Sequence, residues 1–92
     1  MSRRRFIDSI APDQITNMQR AHKHLTDVVR QYGVGERDIL SKARFRHIVL
    51  PRFDWWHRCR QDGLSLPQIA AIADRDHTSI LNGLRRYKEM SK

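Results

Sequence analysis

The sequence predicts an all-α fold, a compact helical domain carrying a helix-turn-helix, and three observations predict it. Apolar residues recur every three or four positions, the period that lines one face of a helix. Helix punctuation falls between those stretches, at Pro12, Gly33, Gly63 and the Ser65-Leu66-Pro67 run. No stretch alternates apolar and polar residues as a half-buried strand does. The 92 residues make one domain, with no room for a second core.

Residues 1–11 read as a basic N-terminal arm without periodicity, and 12–90 as the folded domain. Pro12 suits a first helical turn, and Asp13 sets a negative charge where a helix N-terminus favours one. Ile15, Met18, Leu25, Val28, Val29 and Tyr32 then share helical spacing, and Gly33 supplies a left-handed stop. Gly35 to Leu40 reads as a short helical turn whose Ile39 and Leu40 plug the core. A long helix is expected from Ala43 to Asp62, with Phe45, Ile48, Val49, Trp55, Trp56 and Cys59 as its apolar residues. Pro51 lies inside it, which predicts either a kink or two helices end to end. Adjacent helical positions point about 100° apart, so one of Trp55 and Trp56 is expected in the core and the other half-covered. Gly63 ends this helix.

Ser65 is a natural N-cap for a two-turn apolar helix of Leu66, Ile69, Ala70, Ile72 and Ala73. Asp74 and Arg75 interrupt, and a last helix runs from His77 to Met90. Its Ile80, Leu84 and Tyr87 share one face, while Arg75, Ser79, Asn82 and Arg86 share the opposite one.

Charge narrows the function classes. Lys plus Arg is 18 against 10 acidic residues, a net +8, which points to a polyanionic partner. Arginine dominates, and its guanidinium fork suits phosphates and guanine edges. The single cysteine, Cys59, forms no intrachain disulfide, and no apolar run approaches the roughly 20 residues that span a bilayer. With no signal-peptide pattern, the expected location is cytoplasmic and nucleoid-associated. His22, His24, His47, His57 and Cys59 lack zinc-ligand spacing, so no metal or other cofactor is expected. His77 and Ser79 lack the third, orienting group of a catalytic constellation, and no enzyme activity is expected.

Two short helices joined by a tight turn, the second polar near its start, form the layout in which that second helix enters the major groove. Arg75, Asp76, His77, Thr78, Ser79 and Asn82 occupy its first turns. Arg75 can fork onto guanine or clamp a phosphate. His77 can donate to a base acceptor, and Thr78 can meet a thymine methyl. Asp76 can accept from a cytosine amino group, with helix capping as the structural alternative. Lys42, Arg44, Arg46, Arg52, Arg58 and Arg60 form a second, basic constellation with only Asp54 among them. Its first three residues sit at a loop–helix junction that can reach phosphates or a minor groove, or can simply be a solvated helix end.

Ser41-Lys42-Ala43-Arg44 with Arg46, then Pro51-Arg52, Ser65-Leu66-Pro67-Gln68-Ile69 and Arg75-Asp76-His77-Thr78-Ser79-Ile80-Leu81, resemble the C-terminal DNA-binding domain of the bacterial replication initiator DnaA. The resemblance covers about residues 13 to 88. It implies a helix-turn-helix of the Trp-repressor and DnaA C-terminal kind that reads short asymmetric sites, the DnaA boxes, in double-stranded DNA. Asp76, His77 and Thr78, with Ser79 beside them, would be the base readers in the major groove. Arg44 would lie in the adjacent minor groove. Lys42, Arg46, Arg52, Arg75, Asn82 and the Ser65, Pro67 and Gln68 segment would hold phosphates.

This sequence departs from that pattern in several places. No phosphate-binding loop of the form GxxxxGK[ST] occurs, so neither nucleotide binding nor the family's ATP-driven activity is expected of this chain. The turn before Arg75 is short and lacks glycine, which forces Asp74 into a left-handed conformation. Ala43 removes one basic residue, Phe53 stands where glutamine is common, and Trp55 and Trp56 are bulkier than usual. The leading expectation is a stand-alone DNA-binding module, bacterial or phage, accessory to replication initiation or regulating transcription. The alternative is an interaction module that docks on the initiator or another replication protein through exposed tryptophans without reading DNA. A third reading is coating of nucleic acid by charge alone.

Overall fold

A computed structural model describes residues 12–91, with side chains from residue 15 onward. The arm expected over 1–11 lies outside the described residues. Five helices follow in order: α1 (Pro12–Tyr32), α2 (Glu36–Leu40), α3 (Arg46–Gln61), α4 (Leu66–Ala73) and α5 (His77–Met90). No strand occurs among the described residues. No helix there is long and apolar enough to cross a membrane.

Local signals place most of the ends. Gly33 takes a φ of 68° and Gly63 a φ of 96°, left-handed values at which glycine carries no Cβ penalty. Ser65 caps α4 as expected and does more. Its Oγ accepts from the Gln68 N–H at 3.3 Å, while Gln68 Oε1 accepts from the Ser65 N–H at 2.8 Å, a reciprocal capping box. Ser65→Ala is expected to lower stability by about 1 kcal/mol, read as an earlier urea midpoint with an unchanged slope.

Helix α3 is the hub, packing against all four other helices. Ala21, Leu25 and Val28 of α1, Ile39 of α2, Leu64, Ile69 of α4 and Ile80 of α5 close around its Trp55, Trp56 and Cys59. Both tryptophans are 2% exposed, which corrects the expectation that one would stay half-covered. The 100° argument holds for a helix with one buried face, whereas α3 is enclosed from several directions. Trp55 faces α1, where its Nε1 donates to the Ala21 carbonyl at 2.8 Å. Trp56 faces α5, where Gly83 lies so close that a Cβ would stand 2.5 Å from the ring. The Trp56 Nε1 has no hydrogen-bond partner among the described residues.

Burial of Cys59 pushes its thiol up to about 12, so it packs as a small apolar group. Tyr32 donates to Asp54 Oδ2 at 2.6 Å and Arg58 Nε donates to Asp54 Oδ1 at 2.9 Å. These bonds satisfy a carboxylate that is itself 3% exposed. Desolvation, aided by Asp54, holds the Tyr32 hydroxyl well above the usual phenol range.

Other expectations need correction. Helix α3 starts at Arg46 rather than Ala43, leaving residues 42–45 outside regular structure. Phe45, assigned to the apolar face, is 66% exposed as the N-cap residue. Leu40 is 43% exposed, so Ile39 alone of its pair plugs the core. Ile15 and Met18 are also exposed, at 38% and 53%. At about 1.5 Å per residue α1 runs past the helices that cover it, and its core contacts begin at Ala21. Of the two outcomes expected at Pro51, the division into two helices does not occur: α3 is one helix with Pro51 buried inside it.

Candidate nucleic-acid interface

The turn between α4 and α5 is three residues long, Asp74 to Asp76, and Asp74 is its pivot. Asp74 adopts φ 56° and ψ 50°, the left-handed conformation expected from the missing glycine. The N–H groups of Asp74 and Arg75 both return to the Ala70 carbonyl, the latter at 2.9 Å, which closes α4 tightly. Asp76 is the N-cap residue of α5 in an extended conformation, but its side chain accepts no capping bond. Its carboxylate therefore stays available beside the positive end of the helix.

Asp76, His77, Thr78 and Ser79 are all exposed, as is Asn82 one turn later. On the other face Ile80 is fully buried and Gly83 is buried, with Leu84 and Tyr87 partly covered. That is the two-faced last helix the spacing predicts. Among the described residues, the side chains of this polar first turn make no hydrogen bond or ion pair.

The basic loop is held against this turn. Arg75 Nη2 donates to the Ser41 carbonyl at 2.5 Å, bridging residues 34 apart in sequence. Ser41 Oγ donates to the Asp38 carbonyl at 2.7 Å and accepts from the Ala43 N–H at 3.2 Å. Lys42, Arg44 and Arg46 are all exposed along this tethered segment. Lys42, Ala70, Ala71, Asp74, Arg75, Asp76 and Ser79 line one open depression of about 490 Å³. The structure thus brings the loop and the front of α5 together on one surface.

Arg52, Ser65, Pro67 and Gln68, four of the expected phosphate ligands, differ in what they can offer. Arg52 is 3% exposed, with Nε donating to the Ile39 carbonyl at 2.8 Å and Nη2 to the Asp38 carbonyl at 3.2 Å. Burial, and then the nearby Arg75 charge, hold its pKa below the usual guanidinium value. From this position Arg52 fixes the end of α2 and the root of the loop rather than presenting itself to solvent. Ser65 and Gln68 are half-buried, and their backbone N–H groups are already taken by the capping box. Pro67 is exposed but has no N–H to give.

Arg52→Ala is expected to destabilise the fold by about 2–3 kcal/mol, since two charge-assisted bonds to carbonyls are lost. Urea unfolding checks it; unchanged stability would return Arg52 to the surface role read from sequence. The tie between Arg75 and Ser41 is the feature that sequence reasoning missed. Nothing local signals a contact between a side chain and a backbone carbonyl so far away. Among the described residues no cluster of three or more His, Cys, Asp or Glu could hold a metal ion.

Comparison with known proteins gives a consistent answer. The family described as bacterial dnaA protein helix-turn-helix matches residues 25–86. The chromosomal replication initiator protein DnaA 2 of Protochlamydia amoebophila is 35% identical over 86 residues, covering 91% of this chain and 19% of that protein. The chromosomal replication initiator protein DnaA of Nitrobacter hamburgensis is 32% identical over 97 residues, covering 98% of this chain and 19% of the relative. That of Bartonella quintana is 33% identical over 79 residues, covering 84% and 15%. The chain thus spans less than a fifth of the length of these relatives. No solved structure matches it.

Proposed function

The chain belongs to the bacterial DnaA helix-turn-helix family, and on that premise we propose that it is a sequence-specific double-stranded DNA-binding protein reading a DnaA-box-like site. It acts as an accessory to replication initiation or as a transcriptional regulator. The observation that carries this reading is the exposed Asp76–Ser79 turn at the open end of α5, flanked by a basic loop that Arg75 ties to it. A helix end of this kind fits the major groove, and the loop then lies over the phosphates beside it.

Each group has a defined task. His77 donates to a guanine or thymine acceptor, Thr78 meets a thymine methyl, and Asp76 accepts from a cytosine or adenine amino group. Ser79 assists at the next base, and Arg44 enters the neighbouring minor groove. Lys42, Arg46 and Asn82 neutralise or hydrogen-bond phosphates. Arg75 serves them indirectly by fixing the loop. Docking on a replication protein through exposed tryptophans loses its surface, because Trp55 and Trp56 are both buried.

Selection of bound duplexes from a random pool at physiological ionic strength tests the proposal. Enrichment of one short asymmetric motif is the expected result. A bound pool indistinguishable from the input would reduce the protein to a charge-driven coat.

A further inference from the structure

Among the described residues, Asp74 is the one residue other than glycine that takes a positive φ. The other left-handed values fall to Gly33 and Gly63, which have no Cβ to crowd. At φ 56° and ψ 50° asparagine would serve as well and stay neutral. The backbone therefore accounts for a short polar side chain here but not for its charge. That charge is exposed on the candidate DNA face of a chain whose net charge is +8. Among the described residues its carboxylate makes no hydrogen bond or ion pair. The neighbouring Arg75 gives its Nη2 to the Ser41 carbonyl instead. Asp74 also lines the depression at the front of α5, together with Lys42, Arg75, Asp76 and Ser79.

We infer that Asp74 is a specificity-determining residue that acts by refusing phosphate. Its carboxylate keeps the backbone of a random duplex out of the depression and so reserves the front of α5 for base edges. The inference rests on the DNA-binding reading above. Without carboxylates this depression would suit a phosphate of any sequence. Lys42 and Arg75 bring two cations to it, and the first turn of α5 presents backbone N–H groups that its N-cap side chain leaves uncapped. Asp74 and Asp76 set two negative charges against those two cations.

The two carboxylates differ in what compensates them. Asp76 leads the exposed run assigned to bases, where an amino group can donate to it. Asp74 stands two residues earlier, in the turn, and accepts from no donor of the described fold. A duplex gripped only through its phosphates meets that charge at every register along its length. Once base edges fill the depression, no phosphate enters it. The specific complex thus escapes a repulsion that the random complex bears, and the gap between their affinities widens.

The test compares the wild type, Asp74→Asn and Asp74→Gly by anisotropy titration across salt, against the duplex selected from a random pool and a scrambled one. Asp74→Asn is expected to tighten the scrambled duplex about fivefold, the scale of one unit charge removed from within a few ångströms of a phosphate in water. The log–log salt slope on that duplex should steepen by about 0.9, for one phosphate gained. The selected duplex should tighten by no more than about twofold, so the ratio of the two affinities falls. Asp74→Gly frees the left-handed backbone and should give the same ratio, with a melting temperature at or above the parent's. Agreement between the two variants assigns the effect to charge rather than to the turn's conformation. Equal tightening of both duplexes overturns the inference, because the charge then acts without regard to sequence. No change in either duplex overturns it too. Weaker binding of the selected duplex also does, since Asp74 would then be a base reader. A wild type that selects no motif overturns the DNA-reading proposal first, and this one with it.

Discussion

His77→Ala and Thr78→Ala are each expected to weaken binding to the preferred duplex by about 1–3 kcal/mol and to relax the choice of base at one or two positions. Binding to random duplexes should change little. Both side chains are exposed, and neither takes part in a hydrogen bond among the described residues, so thermal stability should match the wild type. Arg46→Ala supplies the contrast. It is exposed at the start of α3, and its loss should weaken all sequences alike and shallow the log–log salt slope by about 0.9 for one phosphate. Uniform weakening by His77→Ala and Thr78→Ala, with a shallower slope, would turn the supposed readers into further phosphate ligands. Fluorescence anisotropy titrations against a specific and a scrambled duplex, repeated across salt, separate these outcomes.

Gly83→Ala is the largest expected stability effect, and two forces oppose each other in it. Alanine is the better helix former, by about 0.8–1 kcal/mol. The added Cβ, however, would lie 2.5 and 2.6 Å from two ring carbons of Trp56 and 2.9 Å from Cδ1 of Phe53. Trp56 is 2% exposed between α3 and α5 and has little space into which to retreat. Overpacking of this kind costs about 1–3 kcal/mol, so packing should win over propensity. The expected result is a melting temperature lower by about 4–8 °C for each kcal/mol lost. A variant as stable as the parent would mean that the contact between α3 and α5 yields easily. Because α5 also carries the candidate readers, displacing it should weaken specific binding more than random binding.

How much of this was legible in the sequence depended on how far each signal reaches along the chain. Pro12, Gly33, Ser65 and the His77–Met90 helix were readable because caps, glycines and periodicity act within one or two turns. The left-handed Asp74 was readable too, since a short turn without glycine leaves few other conformations. Helix α3 was harder. Its charged residues Arg52 and Asp54 are buried and its N-cap Phe45 is exposed, the reverse of what an apolar stripe predicts. The reason is topological: a helix touching four partners has no single wet face on which to put its polar residues.

The site divides in the same way. The exposed run Asp76 to Ser79 and the basic loop could be named from the chain, because residue type and local position were enough. Which basic residues face outward could not. Arg52 and Arg75 both read as phosphate ligands from sequence; Arg52 is buried with two bonds to carbonyls of its own fold, and half-buried Arg75 gives its Nη2 to a third. The packing of α2 beside α3 decides it for Arg52, and the approach of Ser41 to the α4–α5 turn decides it for Arg75. The role of Gly83 was equally hidden, since a glycine inside a helix advertises nothing about the ring it touches.

Removing single groups from the DNA shows whether the front of α5 touches bases. Uracil in place of each thymine of the selected site deletes only the 5-methyl group in the major groove. At least one such replacement is expected to weaken the wild type and to make no further difference to Thr78→Ala, a coupling of about 0.5–3 kcal/mol between one methyl and one side chain. If every replacement weakens both proteins equally, or none weakens the wild type, the front of α5 does not touch bases at Thr78.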